Sequence, residues 1–203
     1  MSEPTVFIID DDESVRDAIG FLLDSVDIAH EDFPSADAFL AQFDASKTGC
    51  LILDIRMPGM SGLDLQSELI ARKDEIPIIF ITGHGDIPMA VEAMRRGALD
   101  FIRKPFRDQE LLDRISEALN VDDERRQIAS DLEAARQVVA ELTPRETEIF
   151  ERVCAGQANK VIAIELGISE RTVEIHRSQV MHKTGARSLA ELVRLKITLE
   201  QNG

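Results

Sequence analysis

The chain has no tryptophan and no tyrosine, only two cysteines, and no apolar run longer than a strand. Each shortage removes a class of protein. Cys50 and Cys154 stand about a hundred positions apart without His or Cys neighbours at ligand spacing, so neither a disulfide framework nor a zinc site is expected. The longest aliphatic stretches, such as residues 76–81, suit a strand and not a membrane span. The opening Met-Ser-Glu-Pro-Thr lacks the basic and apolar regions of a secretory signal. The expectation is a protein of the reducing cytoplasm with no membrane partner. What remains is 203 residues, 44% hydrophobic, enough for one good core and a small second domain.

Positive charge is also scarce, and it is unevenly placed. The net charge is −15, of which residues 1–120 carry −13, residues 121–142 carry −3 and residues 143–203 carry +1. Within the last segment, residues 156–198 hold 7 basic and 4 acidic groups. A local cationic stretch in an acidic chain suits contact with a polyanion, since affinity for nucleic acid comes mainly from cations set against phosphates. An ordinary mixed-charge surface is the competing reading of that stretch alone.

Up to residue 120 two periods alternate. Short aliphatic runs at 5–9, 28–33, 50–53, 77–81 and 99–102 predict strands. Between them, amphipathic segments predict helices: "SVRDAIGFLLDSV" with Val15, Ile19, Leu22 and Leu23 on one face, "SADAFLAQF" capped by Ser35, residues 62–71, "DIPMAVEAMRRGA" from Asp86 to a stop at Gly97, and residues 108–120. Five strands interleaved with five helices predict a parallel α/β sheet covered on both faces. Such sheets bind ligands beyond the carboxyl ends of their strands.

The strand ends carry the polar residues. "IIDDD" ends on Asp10, Asp11 and Asp12, "LILD" on Asp54, "FITGHG" brings Thr82, and "FIRKPF" brings Lys104 before Pro105. Core packing does not ask for charges to crowd at one rim. An acidic cluster of hard oxygens suits Mg²⁺. Lys104 and Thr82 suit a phosphoryl group, the amine as a point charge and the hydroxyl as a donor. Asp54 then reads as a nucleophile toward phosphorus, held rigidly by the aliphatic run Leu51 to Leu53 and left accessible by the Pro58-Gly59 turn.

"FIIDDDESVRD", "LILDIRMPGMSG", "IFITGHGDIPMAVEAM" and "GALDFIRKPF" together resemble the receiver domain of two-component response regulators over residues 4–120, in its FixJ-like branch. The resemblance implies a flavodoxin-like five-stranded parallel sheet with Asp54 as phosphoacceptor. It implies Mg²⁺ held by the acidic pocket of Asp10 and Asp11, by Asp54 and by the backbone carbonyl of Arg56. Thr82 and Lys104 assist the phosphoryl group, and Thr82 and Phe101 form a switch pair. Phe101 stands where many relatives carry Tyr, so the switch ring has no hydroxyl. Arg56 and His84 flank the site, either tuning the phosphoryl lifetime or standing as solvated rim residues.

The C-terminal segment predicts four short helices. "TPRETEIF" is a capping box, with Thr143 as cap, Pro144 first and Glu146 third. "SLAELVRL" repeats the box with Ser188 and Glu191, and "NKVIAIELGIS" places Ala163 and Gly167 before a tight turn. A turn between helices in such a set predicts a helix-turn-helix. On the helix over 170–184, Val173, Val180 and Thr184 face inward with His176 and Arg177 at the margins. Arg171, Glu174, Ile175, Ser178 and His182 face outward. Lys160, Thr172, Lys183 and Arg187 surround that face as phosphate contacts. "LTPRE", "NKVIAIELGIS" and "RTVEIHRSQVMHK" resemble the LuxR-type DNA-binding domain over residues 141–200, and Glu174 and Arg177 resemble the FixJ-like choice there.

Between the two lies "NVDDERRQIASDLEAARQVVAEL", free of Gly and Pro, with Ile128, Leu132, Ala135, Val139 and Leu142 at spacings of 4, 3, 4 and 3. It reads as a linker helix that either pairs with its copy or docks on a neighbouring domain. The expected organisation is a receiver over 1–120, a helical linker over 121–142 and a small all-α helix-turn-helix domain over 143–203. By resemblance to the NarL/FixJ family, a sensor histidine kinase phosphorylates Asp54, and a homodimer then binds promoter DNA together with RNA polymerase. No enzyme activity is expected beyond self-phosphorylation and self-dephosphorylation. Two alternatives stay open: an aspartyl-phosphate hydrolase, which would want an acid where Arg56 stands, and a phosphorylation-independent DNA-binding protein.

Overall fold

The computed structural model describes residues 3–44, 47–83 and 87–201. The chain divides into two compact units, Met1–Arg125 and Arg126–Gly203.

The first unit is the α/β one. β1 (Thr5–Ile9), β2 (His30–Phe33), β3 (Gly49–Asp54), β4 (Ile78–Thr82) and β5 (Asp100–Arg103) form one parallel sheet in the order β2-β1-β3-β4-β5. The connections run through α1 (Glu13–Asp24), α2 (Ala36–Gln42), α3 (Gly62–Ala71) and α4 (Ile87–Arg95), and α5 (Asp108–Ala140) follows β5. Alternation along the strands sorts the core into two layers. Phe7, Ile9, Leu51, Leu53 and Phe80 face Phe39 of α2, Leu65 and Leu69 of α3, and Ala90 and Ala93 of α4. Val6, Ile8, Cys50, Ile52, Ile79, Ile81 and Ile102 face Ile19 and Leu23 of α1 and Leu111, Ile115 and Ala118 of α5. Every residue of β3 is buried, which explains its unbroken aliphatic run: a central parallel strand has no solvent face. Burying each of Leu51, Ile52 and Leu53 contributes roughly 1.5–3 kcal/mol.

Local chemistry sets the ends of the elements. Ser35 accepts the Ala38 N–H at 3.2 Å at the start of α2, and Ser61 and Asp64 form a reciprocal capping box on α3. Strand β2 begins at His30, two residues inside the expected run, and it is an edge strand with Glu31 and Asp32 exposed. The expected opening of α4 at Asp86 falls outside the described residues. Two close approaches demand glycine. A Cβ on Gly62 would lie 2.2 Å from the Asp54 carbonyl oxygen, and one on Gly49, at φ +134°, would lie 1.8 Å from the Thr5 carbonyl oxygen.

The helix expected over 108–120 and the linker helix expected after it are continuous, since α5 runs as one helix of 33 residues to Ala140. Asp122, read from sequence as the start of a linker, is buried in the first unit.

In the second unit α6 (Pro144–Cys154), α7 (Asn159–Leu166), α8 (Glu170–Thr184) and α9 (Leu189–Gln201) enclose Ile149, Phe150, Val153, Ile162, Val173, Val180 and Leu192. Thr143 and Glu146 complete the expected capping box on α6. Gly167, at φ +65°, ends α7 and lets the chain turn into Ser169, the cap of α8.

Gly49→Ala is expected to lower the stability of the first unit by about 2–3 kcal/mol through backbone strain and the clash with Thr5. Urea unfolding followed by probes in each unit checks this, with the transition of the second unit unmoved.

Candidate functional site

Three strands deliver one ionic bridge to the carboxyl rim of the sheet. Asp10 follows β1, Asp54 ends β3, and Lys104 follows β5. Lys104 Nζ donates to Asp10 Oδ2 at 2.6 Å and to Asp54 Oδ1 at 2.7 Å. Asp10 is 1% and Asp54 7% exposed. The other Asp54 oxygen, Oδ2, accepts the Arg56 N–H at 2.6 Å, so the chain turning away from β3 holds the carboxylate it has just delivered. Arg16 of α1 donates to the Asp10 carbonyl at 2.8 Å and pairs with Asp32 at 3.0 Å, fastening the rim from the β2 side.

The three consecutive acids after β1 do three different things. Asp10 faces Lys104, and its Oδ1 also accepts the Asp12 N–H at 3.0 Å. Asp12 caps α1 by accepting the Ser14 N–H at 2.9 Å. Asp11 is exposed and makes no hydrogen bond or ion pair among the described residues. Thr82 ends β4 beside Asp54, is 2% exposed, and donates from Oγ1 to the Gly83 carbonyl at 3.1 Å. Phe101 packs with the Phe80 layer, the side of the sheet that Thr82 shares by alternation. His84, expected beside Arg56 at the flank, lies outside the described residues.

The electrostatics follow from sharing one cation between two acids. Burial raises the Asp54 pKa above its ordinary value; Lys104 opposes this, and the neighbouring Asp10 charge adds to it. Burial works to lower the Lys104 pKa, but the hydrogen bonds and charges of the two aspartates outweigh it and hold the ammonium above its ordinary value. Among the described residues no three His, Cys, Asp or Glu side chains stand together as a preformed metal site. The donor chemistry still fits a hard divalent ion: Asp10, Asp11 and Asp54 supply only oxygens, and one ammonium leaves negative charge in surplus.

In the second unit α8 presents the face expected from its periodicity. Val173 and Val180 are buried, while Arg171, Glu174, Ile175, Ser178 and His182 are exposed. Lys160, Arg171 and Arg187 are exposed and form no ion pair among the described residues. Two other expected cations are engaged within the fold. Arg177 donates to Asn159 Oδ1 at 3.1 Å, and Lys183 donates to Glu146 Oε2 at 2.7 Å. Thr172 holds the N-terminus of α8, its N–H donating to Ser169 Oγ at 3.1 Å and its hydroxyl lying 2.8 Å from the same oxygen. His176 is partly buried, and its Nδ1 has no hydrogen-bond partner among the described residues. Sequence reading recognised Glu146 as the third residue of a capping box but missed its second partner, 37 residues on. Lys183 and the Thr143 N–H push the Glu146 pKa down to about 2.

A parallel sheet with an ammonium-bridged acid pair at its carboxyl rim, followed by a helix-turn-helix, defines a two-module signalling protein. Residues 6–116 match the response regulator receiver domain family, and residues 140–196 match the bacterial regulatory proteins of the luxR family. Nodulation protein W of Bradyrhizobium diazoefficiens is 47% identical over 194 residues, 96% of this chain and 86% of that protein. Transcriptional regulatory protein FixJ of the same organism is 45% identical over 193 residues, 94% of this chain and 93% of that protein. Among solved structures, response regulator StyR superposes with a TM-score of 0.87 at 48% identity, covering 96% of this chain and 98% of its own. Full-length FixJ from B. japonicum gives a TM-score of 0.60 at 40% identity over 99% of both chains. The chain belongs to the response regulators that join a receiver domain to a LuxR-type DNA-binding domain, and it is a transcription regulator of that family. Among the described residues no helix is long and apolar enough to cross a membrane.

The two units are expected to respond to acid with opposite sign. The folded pKa of Asp54 is raised above its ordinary 3.8, so protonation favours the folded first unit as pH falls through the folded value. The folded pKa of Glu146 is depressed to about 2 from 4.5, so its contribution is present above pH 4.5 and is lost as pH falls toward 2. Unfolding midpoints of each unit between pH 7 and 2.5 check this, with Asp54→Asn and Glu146→Gln each removing its own pH-dependent part.

Proposed function

We propose that Asp54 accepts a phosphoryl group from a sensor histidine kinase and that this event switches the helix-turn-helix unit to dimeric promoter binding. The observation that carries the reading is the placement of Lys104 between Asp10 and Asp54, in a chain that also carries the luxR-family segment. A bond forms from an Asp54 carboxylate oxygen to phosphorus as the bond from phosphorus to the donor histidine nitrogen breaks, and the imidazole leaves. Burial makes Asp54 more basic and hence a better nucleophile, while Lys104 keeps it ionised. Afterwards Lys104 offers its ammonium to a phosphoryl oxygen, and Thr82 turns its hydroxyl from the Gly83 carbonyl toward another. Mg²⁺, held by Asp10, Asp11, Asp54 and the Arg56 carbonyl, would neutralise charge on the transferring group. Thr82 and Phe101 act as the switch pair through the face of the sheet they share. The protein turns over no substrate beyond gaining and losing its own phosphoryl group, and it works in the cytoplasm with RNA polymerase at the promoter.

On the DNA side, Lys160, Arg171 and Arg187 meet phosphates, while Glu174, Ile175 and Ser178 of α8 read base edges, with His176 and Thr172 alongside. Lys183 and Arg177 serve first to brace α8 against α6 and α7, through Glu146 and Asn159. The phosphoryl group needs only to bias an existing equilibrium: a preference of about 3 kcal/mol changes the active population by about two orders of magnitude.

Asp54→Ala is expected to abolish phosphate uptake from labelled acetyl phosphate and the accompanying dimerisation, read by sedimentation; stoichiometric label on that variant overturns the assignment. Lys160→Ala is expected to weaken binding to all DNA sequences alike and to reduce the salt slope by about 1, whereas Glu174→Ala costs about 1–3 kcal/mol of discrimination at one base pair. Fluorescence anisotropy over a salt series, on the selected operator and on scrambled DNA, separates the two.

A further inference from the structure

The face of α5 that covers the sheet runs Leu111, Ile115 and Ala118, all buried, at spacings of four and three. Four residues on, where the stripe calls for another apolar group, stands Asp122, 2% exposed. Its Oδ2 accepts the Gly49 N–H at 3.0 Å and its Oδ1 accepts Arg125 Nη2 at 2.7 Å. Gly49 begins β3, the strand that ends on Asp54. Arg125 is the next step of the stripe; its Nη1 is buried without a hydrogen-bond partner among the described residues and lies 3.9 Å from Glu75 Oε2. Three residues further begins the second apolar series, Ile128, Leu132, Ala135, Val139 and Leu142. The steps from 122 to 125 and from 125 to 128 are both three, so the alternation of four and three breaks there and the apolar stripe changes phase at the polar pair.

An apolar side chain packed on a sheet tolerates small rotations and slides, whereas a carboxylate aimed at one backbone N–H has a single register. Burying that carboxylate costs desolvation that a leucine would avoid, and fixing a register is the best-attested use of such a group. Gly49 is itself held in register, since it pairs with Thr5 in the β1–β3 ladder.

We propose that Asp122 is a positioning residue that pins the register of α5 against the start of β3, so that the state of the strand bearing Asp54 sets the rotation of the helix continuing beyond the receiver. The coupling half of this proposal rests on Asp54 being the phosphoacceptor; the pinning half does not.

The test uses the full-length protein with Asp122→Leu, which continues the apolar stripe, and Asp122→Asn, which keeps an oxygen for Gly49. In the Leu variant the amides of Gly49 and residues 120–127 are expected to exchange at least about ten-fold faster by NMR, while those of residues 51–54 and 111–118 hold their rates. The gain in DNA affinity on acetyl phosphate treatment is expected to fall at least about five-fold, with the rate of labelling at Asp54 unchanged. A residue that served stability alone would leave that gain intact in a folded variant. Asp122→Asn is expected to restore the Gly49 protection and most of the gain. Unchanged exchange in the Leu variant overturns the pin, and accelerated exchange with the full affinity gain overturns the coupling. Should the Leu variant not fold, the Asn variant decides: Gly49 protection lost while residues 120–127 hold their rates overturns the pin, and protection and affinity gain that part company, one kept and the other lost, overturn the coupling. A wild-type protein that gains no affinity on phosphorylation refutes the proposed function, and the pin is then judged on exchange alone.

Discussion

Two carboxylates that burial forbids to stand alone share one ammonium, and the rest of the first unit is arranged to keep that arrangement in place. Asp10 and Asp54 come from neighbouring strands and Lys104 from beyond a third, so the bridge exists only while β1, β3 and β5 keep their order and register. An aliphatic sheet buried on both faces is the stiffest support available for such a constraint, because no strand can slip by one residue without turning its core side chains to the wrong layer. Gly62 serves the same end locally: without a Cβ it lets α3 begin against the Asp54 carbonyl, fixing the loop whose Arg56 N–H holds the carboxylate.

The second unit uses the same device with the opposite outcome. Glu146 is a buried acid met by a lysine, as Asp54 is, yet its pKa is pushed down and that of Asp54 up. Desolvation by burial weighs most on Asp54, whereas at Glu146 the hydrogen bonds from Lys183 and Thr143 outweigh it, and the number of partners per charge adds to the difference. Glu146 has Lys183 and the N–H of Thr143 with no competing acid, whereas Asp54 divides Lys104 with Asp10. The first arrangement braces a helix; the second leaves a carboxylate under tension and basic, which suits a group that is to react.

Much of the scaffold was legible in the residues because local pattern and tertiary role agreed there. The aliphatic runs of β1, β3 and β4 are pure enough to be strands on composition alone, and Thr143, Ser35 and Ser169 mark helix starts by a hydrogen bond made within three residues. The same local logic read helix over 108–120 and again over the linker, but did not join the two. Nothing in residues 108–142 separates a helix ending at 120 from one running on, and the buried acid at 122 looks in sequence like one more charge in "DDERR". At the rim, the triplet Asp10, Asp11 and Asp12 reads as a single acidic cluster, but strand alternation and the start of α1 give each member a different environment. Lys183 reads as a free cation on the outer margin of α8, and its engagement with Glu146 was invisible because the partner lies on another helix.

By itself the sequence determined the alternation of strand and helix, the caps, the residues of the core and the identity of the polar groups at the strand ends, since each of these depends on spacing within a few residues. Only the tertiary structure decided which of those polar groups meet. Lys104 against Asp10 and Asp54, Asp122 against Gly49, and Lys183 against Glu146 join residues 37 to 94 positions apart. A charge takes its partner and its pKa from whatever is within a few ångströms in space, and that distance is set by packing rather than by order along the chain.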